Sequence, residues 1–129
     1  MKTSDYLPQR NRNLRKEFYN LLGKADCVSD IFQLLTVVPA ERFYISEERA
    51  YLLLLYKRKG NEQWDRKMLP NRRRMIIEID KRVDAYLASH PGVSLRRAVA
   101  EVVNSPAPSF FLDAKSIRTI FYAFCRKNA

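Results

Sequence analysis

Apolar residues recur along this chain at the spacing of helices rather than of strands. Leu14, Phe18, Leu21 and Leu22 stand at i, i+4, i+7 and i+8, one face of a helix. A second apolar stretch follows in Ile31, Phe32, Leu35 and Val38, after Ser29, which reads as an N-cap of a helix over 30–38. A third helix is expected over 47–59, opened by Ser46 and stopped by Gly60, a plausible C-terminal cap. The same order then returns. Ile76, Ile79, Val83, Tyr86 and Leu87 predict a helix over 72–89, Ser94 caps one over 95–104, and Asp113 caps one over 114–127. In that last helix Ile117, Ile120, Phe121 and Phe124 point inward.

The recurrence extends to a phrase. Pro39-Ala40-Glu41-Arg42-Phe43-Tyr44-Ile45-Ser46 and Pro106-Ala107-Pro108-Ser109-Phe110-Phe111-Leu112-Asp113 share a Pro-Ala-x-x-Phe-aromatic-aliphatic-cap pattern at an offset of 67. Earlier matches, such as Val28-Ser29 with Val93-Ser94, fall at an offset of 65. The reading is an all-α fold: two diverged three-helix repeats, about 8–59 and 72–127, packed as one compact helical bundle in a single domain, 1–129. Residues 57–71 form a basic connector, in which 61–68 is expected to make a short helix around Trp64. Tyr51-Leu52-Leu53-Leu54-Leu55-Tyr56 is apolar on all sides, as a helix buried on several faces would be. It is expected to pack against the second copy; a homodimer through this helix is the alternative.

Composition narrows the function. A net charge of +10, from 24 Lys and Arg against 14 Asp and Glu, exceeds what folding needs and favours a polyanion partner. The excess is uneven: residues 57–82 carry a net +6. Within them Arg72, Arg73 and Arg74 open a helix, where the macrodipole disfavours cations; a phosphate would explain them, since arginine forks and free N–H groups both favour an anion. Lys57, Arg58, Lys59, Arg66 and Lys67 lie nearby with Trp64, which is expected chiefly to plug the core. A second surface is the start of the last helix, with Lys115, Ser116, Arg118 and Thr119; the matching start in the first copy, Glu47-Glu48-Arg49, would repel phosphates.

Residues 94–124, a Ser-capped helix, a connection and a helix beginning Lys-Ser-x-Arg-Thr, resemble the helix-turn-helix pair of DNA-binding proteins. That resemblance implies base contacts from Lys115, Ser116, Arg118 and Thr119. The connection, 104–112, is longer than the three or four residues usual for that motif. The doubled phrase is also similar to phrases in short bacterial proteins to which no activity attaches.

Other chemistries find no support. Cys27 and Cys125 stand far apart, and with one histidine they make no usual zinc site; no metal or cofactor is expected. His90, in Ser89-His90-Pro91-Gly92, reads as a cap on the preceding helix. No constellation meets the needs of an active site, so the chain is not read as an enzyme. It has no apolar signal segment and no run long enough to span a bilayer, which makes the cytoplasm the expected location. The expectation is a nucleic-acid-binding protein, with DNA favoured over RNA, in a regulatory or mobile-element accessory role. The competing expectation is a protein-interaction module that binds no nucleic acid.

Overall fold

The computed structural model describes residues 6–127, with side chains as far as Ala123. Phe124 and Cys125, on which two expectations rest, have side chains outside the described residues. Among the described residues the chain forms helices α1 (Leu7–Leu21), α2 (Val28–Leu34), α3 (Glu47–Arg58), α4 (Pro70–Ser89), α5 (Leu95–Val103) and α6 (Ala114–Lys127), and no strand. They pack around one core that includes Phe18, Phe43, Leu54, Ile79, Val99 and Ile117.

Local chemistry sets most helix ends. Ser46, Ser94 and Asp113 each accept a hydrogen bond from the backbone N–H three residues on, satisfying a donor that the helix start would orphan. Beyond α3, Asn61 N–H donates to the Tyr56 carbonyl and Gly60 N–H to that of Lys57. This Schellman pattern needs the left-handed backbone of Gly60, at φ 80°. His90 is the C-cap of α4; its Nδ1 lies 3.1 Å from the Tyr86 carbonyl oxygen, and its ring stacks on that of Tyr86 at 4.1 Å.

Two local expectations are corrected. The second helix starts at Val28 with Cys27 as N-cap, so Ser29 lies inside the first turn, 3.0 Å from the Cys27 sulfur, and caps nothing. Residues 61–68 make successive turns rather than a helix. Lys67, at φ 62°, adopts the left-handed conformation there, which a helix cannot continue through.

How the helices pair follows from the segments between them. The Pro-Ala phrases run alongside each other and meet once, where Ala40 and Ala107 exchange both backbone hydrogen bonds at 3.0 Å. Next to that crossing, Phe43 stacks on Phe111 and Tyr44 on Phe110. Each pair adds about 0.5–1.5 kcal/mol to what burial provides. These segments carry each third helix across the molecule: α3 packs on α4 and α5, and α6 packs on α1 and α2. Phe121 anchors α6 by stacking on Phe18 at 4.2 Å and lying edge-on to Phe32. Leu54, fully buried, anchors α3. Tyr51 lies beneath Arg96, while Leu52 and Tyr56 stay exposed on the outer face of α3.

Polar ties hold the crossing in place. Asn13 of α1 is buried, and its side-chain oxygen accepts from both the Glu41 N–H and the Tyr44 hydroxyl at 2.8 Å. On the other side, Arg82 of α4 donates to the Pro106 carbonyl at 2.8 Å and lies over the Phe43 ring.

Candidate nucleic-acid interface

The basic residues of 57–82 divide into those spent inside the fold and those that face outward. Lys57 and Arg58, in the last turn of α3, each reach the buried Asp80 of α4 at 2.7 Å, and Arg58 also reaches Asp84 at 2.7 Å. A buried carboxylate needs such partners, because its ionised form is costly to desolvate. These two cations therefore join α3 to α4. Arg73 pairs with Asp65 at 2.7 Å and lies over Trp64, whose other cationic neighbour is Lys57. Trp64 is half-buried against the core edge and holds the 61–68 turns to the helices on either side. Arg66 donates to Gln63, while Lys59 and Lys67 are exposed.

Arg72 and Arg74 are placed differently. Helix α4 opens on Leu69 and Pro70, so it has no side-chain cap, and the first N–H groups after the proline are left to other partners. Arg74 hydrogen-bonds Asn71 within the same turn. Arg72, half-buried, has no ion pair among the described residues. Both line clefts on the side where α6 begins. One, of about 610 Å³, lies between the end of α2, Arg74 and the start of α6 with Lys115. The other, of about 490 Å³, holds Arg10 of α1 and Arg72 above a floor that includes Tyr44, Met75 and Phe110. Asn71, Phe111, Leu112 and Asp113 border both, so the two clefts adjoin as one groove across the starts of α4 and α6.

This arrangement brings together residues that the sequence presented as two surfaces. Arg72, Arg74, Lys115 and Ser116 line the groove; Arg118 and Thr119 are exposed on α6 but do not. Lys57, Arg58, Lys59, Arg66, Lys67 and Arg73 also lie outside it. Helices α5 and α6 share no packing contact among the described residues, because the segment 104–113 carries α6 onto α1 and α2. The two helices of a helix-turn-helix pack against each other at a short turn.

Arg10 was missed in the sequence, where the +1 balance of residues 1–56 hid it. The only available signal was its place near the start of an amphipathic helix, beside Asn11 and Arg12. Its pKa lies below the ordinary arginine value, chiefly because of burial; Tyr6 offsets part of this, and the charge of Arg72 adds to it. The two guanidiniums are thus close enough to repel. Asp113, also on the groove, is held below its usual carboxylate range by hydrogen bonds from the Ser116 backbone and side chain, and stays ionised. Among the described residues no group of three or more His, Cys, Asp or Glu could hold a metal ion. No helix of the described residues is long and apolar enough to cross a membrane. What the groove offers is two guanidinium forks at the α1 and α4 positions, a third at Arg74 and an ammonium at Lys115, beside apolar and aromatic walls. Such a set suits phosphate oxygens with planar groups next to them. Comparison with models of protein families, with curated proteins and with solved structures finds no match in any of the three.

Proposed function

We propose that this protein binds nucleic acid, duplex DNA before RNA, through phosphates seated along the groove across the starts of α4 and α6. The observation that carries this reading is the convergence of Arg10, Arg72, Arg74 and Lys115, from three helices, on two adjoining clefts. Bringing four cations together costs self-repulsion, which a row of phosphates would offset. The net charge of +10 adds long-range attraction to any such polymer. The reading assigns no chemical step to the protein and rests on backbone contact rather than on a recognition helix. We also read the matched Pro-Ala phrases as the trace of a duplicated three-helix unit in which the second half kept the binding role.

Fluorescence anisotropy of a labelled duplex across a salt series tests the reading. Each phosphate engaged adds about −0.9 to the slope of log affinity against log salt. The Arg72→Ala/Arg74→Ala/Lys115→Ala variant is expected to lose affinity by at least about a hundredfold and flatten the slope by about 2–3. Unchanged binding in that variant rejects the groove as the surface. No binding by the parent at low salt rejects the nucleic-acid reading and favours a protein partner. A single-stranded RNA competitor separates the two polymers.

A further inference from the structure

The cleft between α1, α4 and α6 has features that a backbone track does not need. We propose that it is a site for one mononucleotide-sized ligand, a planar aromatic ring bearing a single phosphate, free or as the end of a chain. This deepens the phosphate-groove reading and rests on it for the anion.

Three observations support it. Arg10 and Arg72 reach the cleft from different helices, and neither makes an ion pair among the described residues. Two forks held together without a carboxylate between them match the tetrahedral oxygens of one phosphate, which would remove their mutual repulsion. The volume, about 490 Å³, falls in the range of sites that enclose small ligands. Away from the arginines, Leu69, Met75 and Phe110 supply an apolar wall for a ring, and Asn71 and Ser116 supply polar edges for a sugar or base. Arg10 and Arg72 are the two arginines that line this cleft, a set that matches one phosphate. A monophosphate is therefore preferred to a triphosphate.

Calorimetric titration of the full chain with each of the four common nucleoside 5′-monophosphates, with adenosine and with inorganic phosphate tests the proposal. At least one monophosphate should bind with a Kd below about 1 mM, more tightly than inorganic phosphate or its own triphosphate, and adenosine should not bind. Arg72→Gln and Arg10→Gln should each weaken that binding by about tenfold while leaving the melting temperature of the free protein within a few degrees. Absence of binding by all four at about 10 mM, binding no tighter than that of inorganic phosphate, or full retention in the double variant overturns the proposal. The duplex titration described above, run on the same samples, tells the two ideas apart. Duplex binding without mononucleotide binding leaves the groove and removes the pocket. Mononucleotide binding without duplex binding does the reverse.

Discussion

Two clefts of this molecule, one against α1 and one at the start of α6, are equipped differently. A cleft of about 470 Å³ lies against α1 and is lined by Gln9, Arg42, Tyr44 and Asn104 among others. Another cleft, at the start of α6, is lined by Arg74, Ser109, Phe111 and Val37, which stand 65 or 67 residues along the sequence from those four positions. In the first-half cleft Arg42 is turned inward, donating to the Phe43 and Ile45 carbonyls at 2.9 and 2.8 Å. Glu41 lies among its other cations, Arg12 and Lys16, and Asn104 is tied to Glu47. The cleft at the start of α6 is lined by Arg74, which bonds Asn71, and by Lys115. One cleft thus has a guanidinium held by backbone carbonyls of its own segment, while in the other Arg74 bonds a side chain of its own turn. Counting charge along the chain cannot tell these uses apart; hydrogen-bond partners can.

The largest effects should come from the anchors of the exchanged third helices. Leu54→Ala, at a position with no exposure, is expected to cost about 2–5 kcal/mol in denaturant unfolding. Its second-half counterpart, Phe121→Ala, loses a stacked but half-buried ring, and its cost should fall near or below the lower end of the usual 3–5 kcal/mol for a buried phenylalanine. If Phe121→Ala proved as mild as a surface change, α6 would not be held to the first half as described. Next comes the contrast between clefts. Arg12→Ala/Lys16→Ala should weaken duplex binding by less than about tenfold, against the hundredfold loss expected from the second-half set. Equal losses from both sets would erase the distinction between the two clefts.

Tyr44 supplies a third contrast, because Phe111, at the matching place in the second Pro-Ala phrase, cannot ionise. Burial, with Glu41 adding to it, pushes the Tyr44 hydroxyl up to about 12. A tyrosine near 10 when unfolded then binds its proton more tightly in the folded state. Its contribution is fully present below pH 10 and is lost as pH rises toward 12, a total of about 2–3 kcal/mol. Absorbance titration of the phenolate should show one late-ionising tyrosine that disappears in Tyr44→Phe, and that variant's stability should decline less between pH 10 and 12. The smallest contrast is in the caps. Ser94→Ala should cost about 1 kcal/mol, and Ser29→Ala within about 0.5 kcal/mol of nothing, since only Ser94 accepts a backbone bond. Equal costs, measured by thermal unfolding, would mean that Ser29 caps α2 in solution.

The six helices were legible in apolar spacing or in the cap chemistry at Ser46, Gly60, Ser94 and Asp113, though the second stops at Leu34, short of the expected 38. The start of α2 was not, because Ser29, two positions past the true cap at Cys27, carries the same signature as a cap. The 61–68 segment looked helical around Trp64, but ties from Trp64 and Asp65 to Arg73 compete with helix formation and favour turns. The packing of α3 on the second half followed from its all-round apolar surface. The packing of α6 on α1 and α2 did not, since an amphipathic helix shows only that it has a buried face. Of the candidate interface, Arg72, Arg74, Lys115 and Ser116 were nameable one by one. Their meeting was not, because some forty residues separate the two groups and tertiary packing, the crossing at Ala40 and Ala107 included, brings them together. The spending of Lys57 and Arg58 on Asp80 was hidden for the same reason.

That crossing has a consequence for how the molecule is made. When α1, α2 and α3 have left the ribosome, the surfaces that α3 covers do not yet exist, and the helix that will cover α1 and α2 has not been translated. The apolar Tyr51–Tyr56 stretch must wait in water, or in the keeping of a chaperone, until α4 and α5 emerge. Completion then depends on the last helix, so a chain cut short before residue 114 would leave Phe18 and Phe32 without their cover. By the same logic, a protease nick in the 61–68 turns would leave two fragments that still clasp one another, each holding the helix that completes its partner.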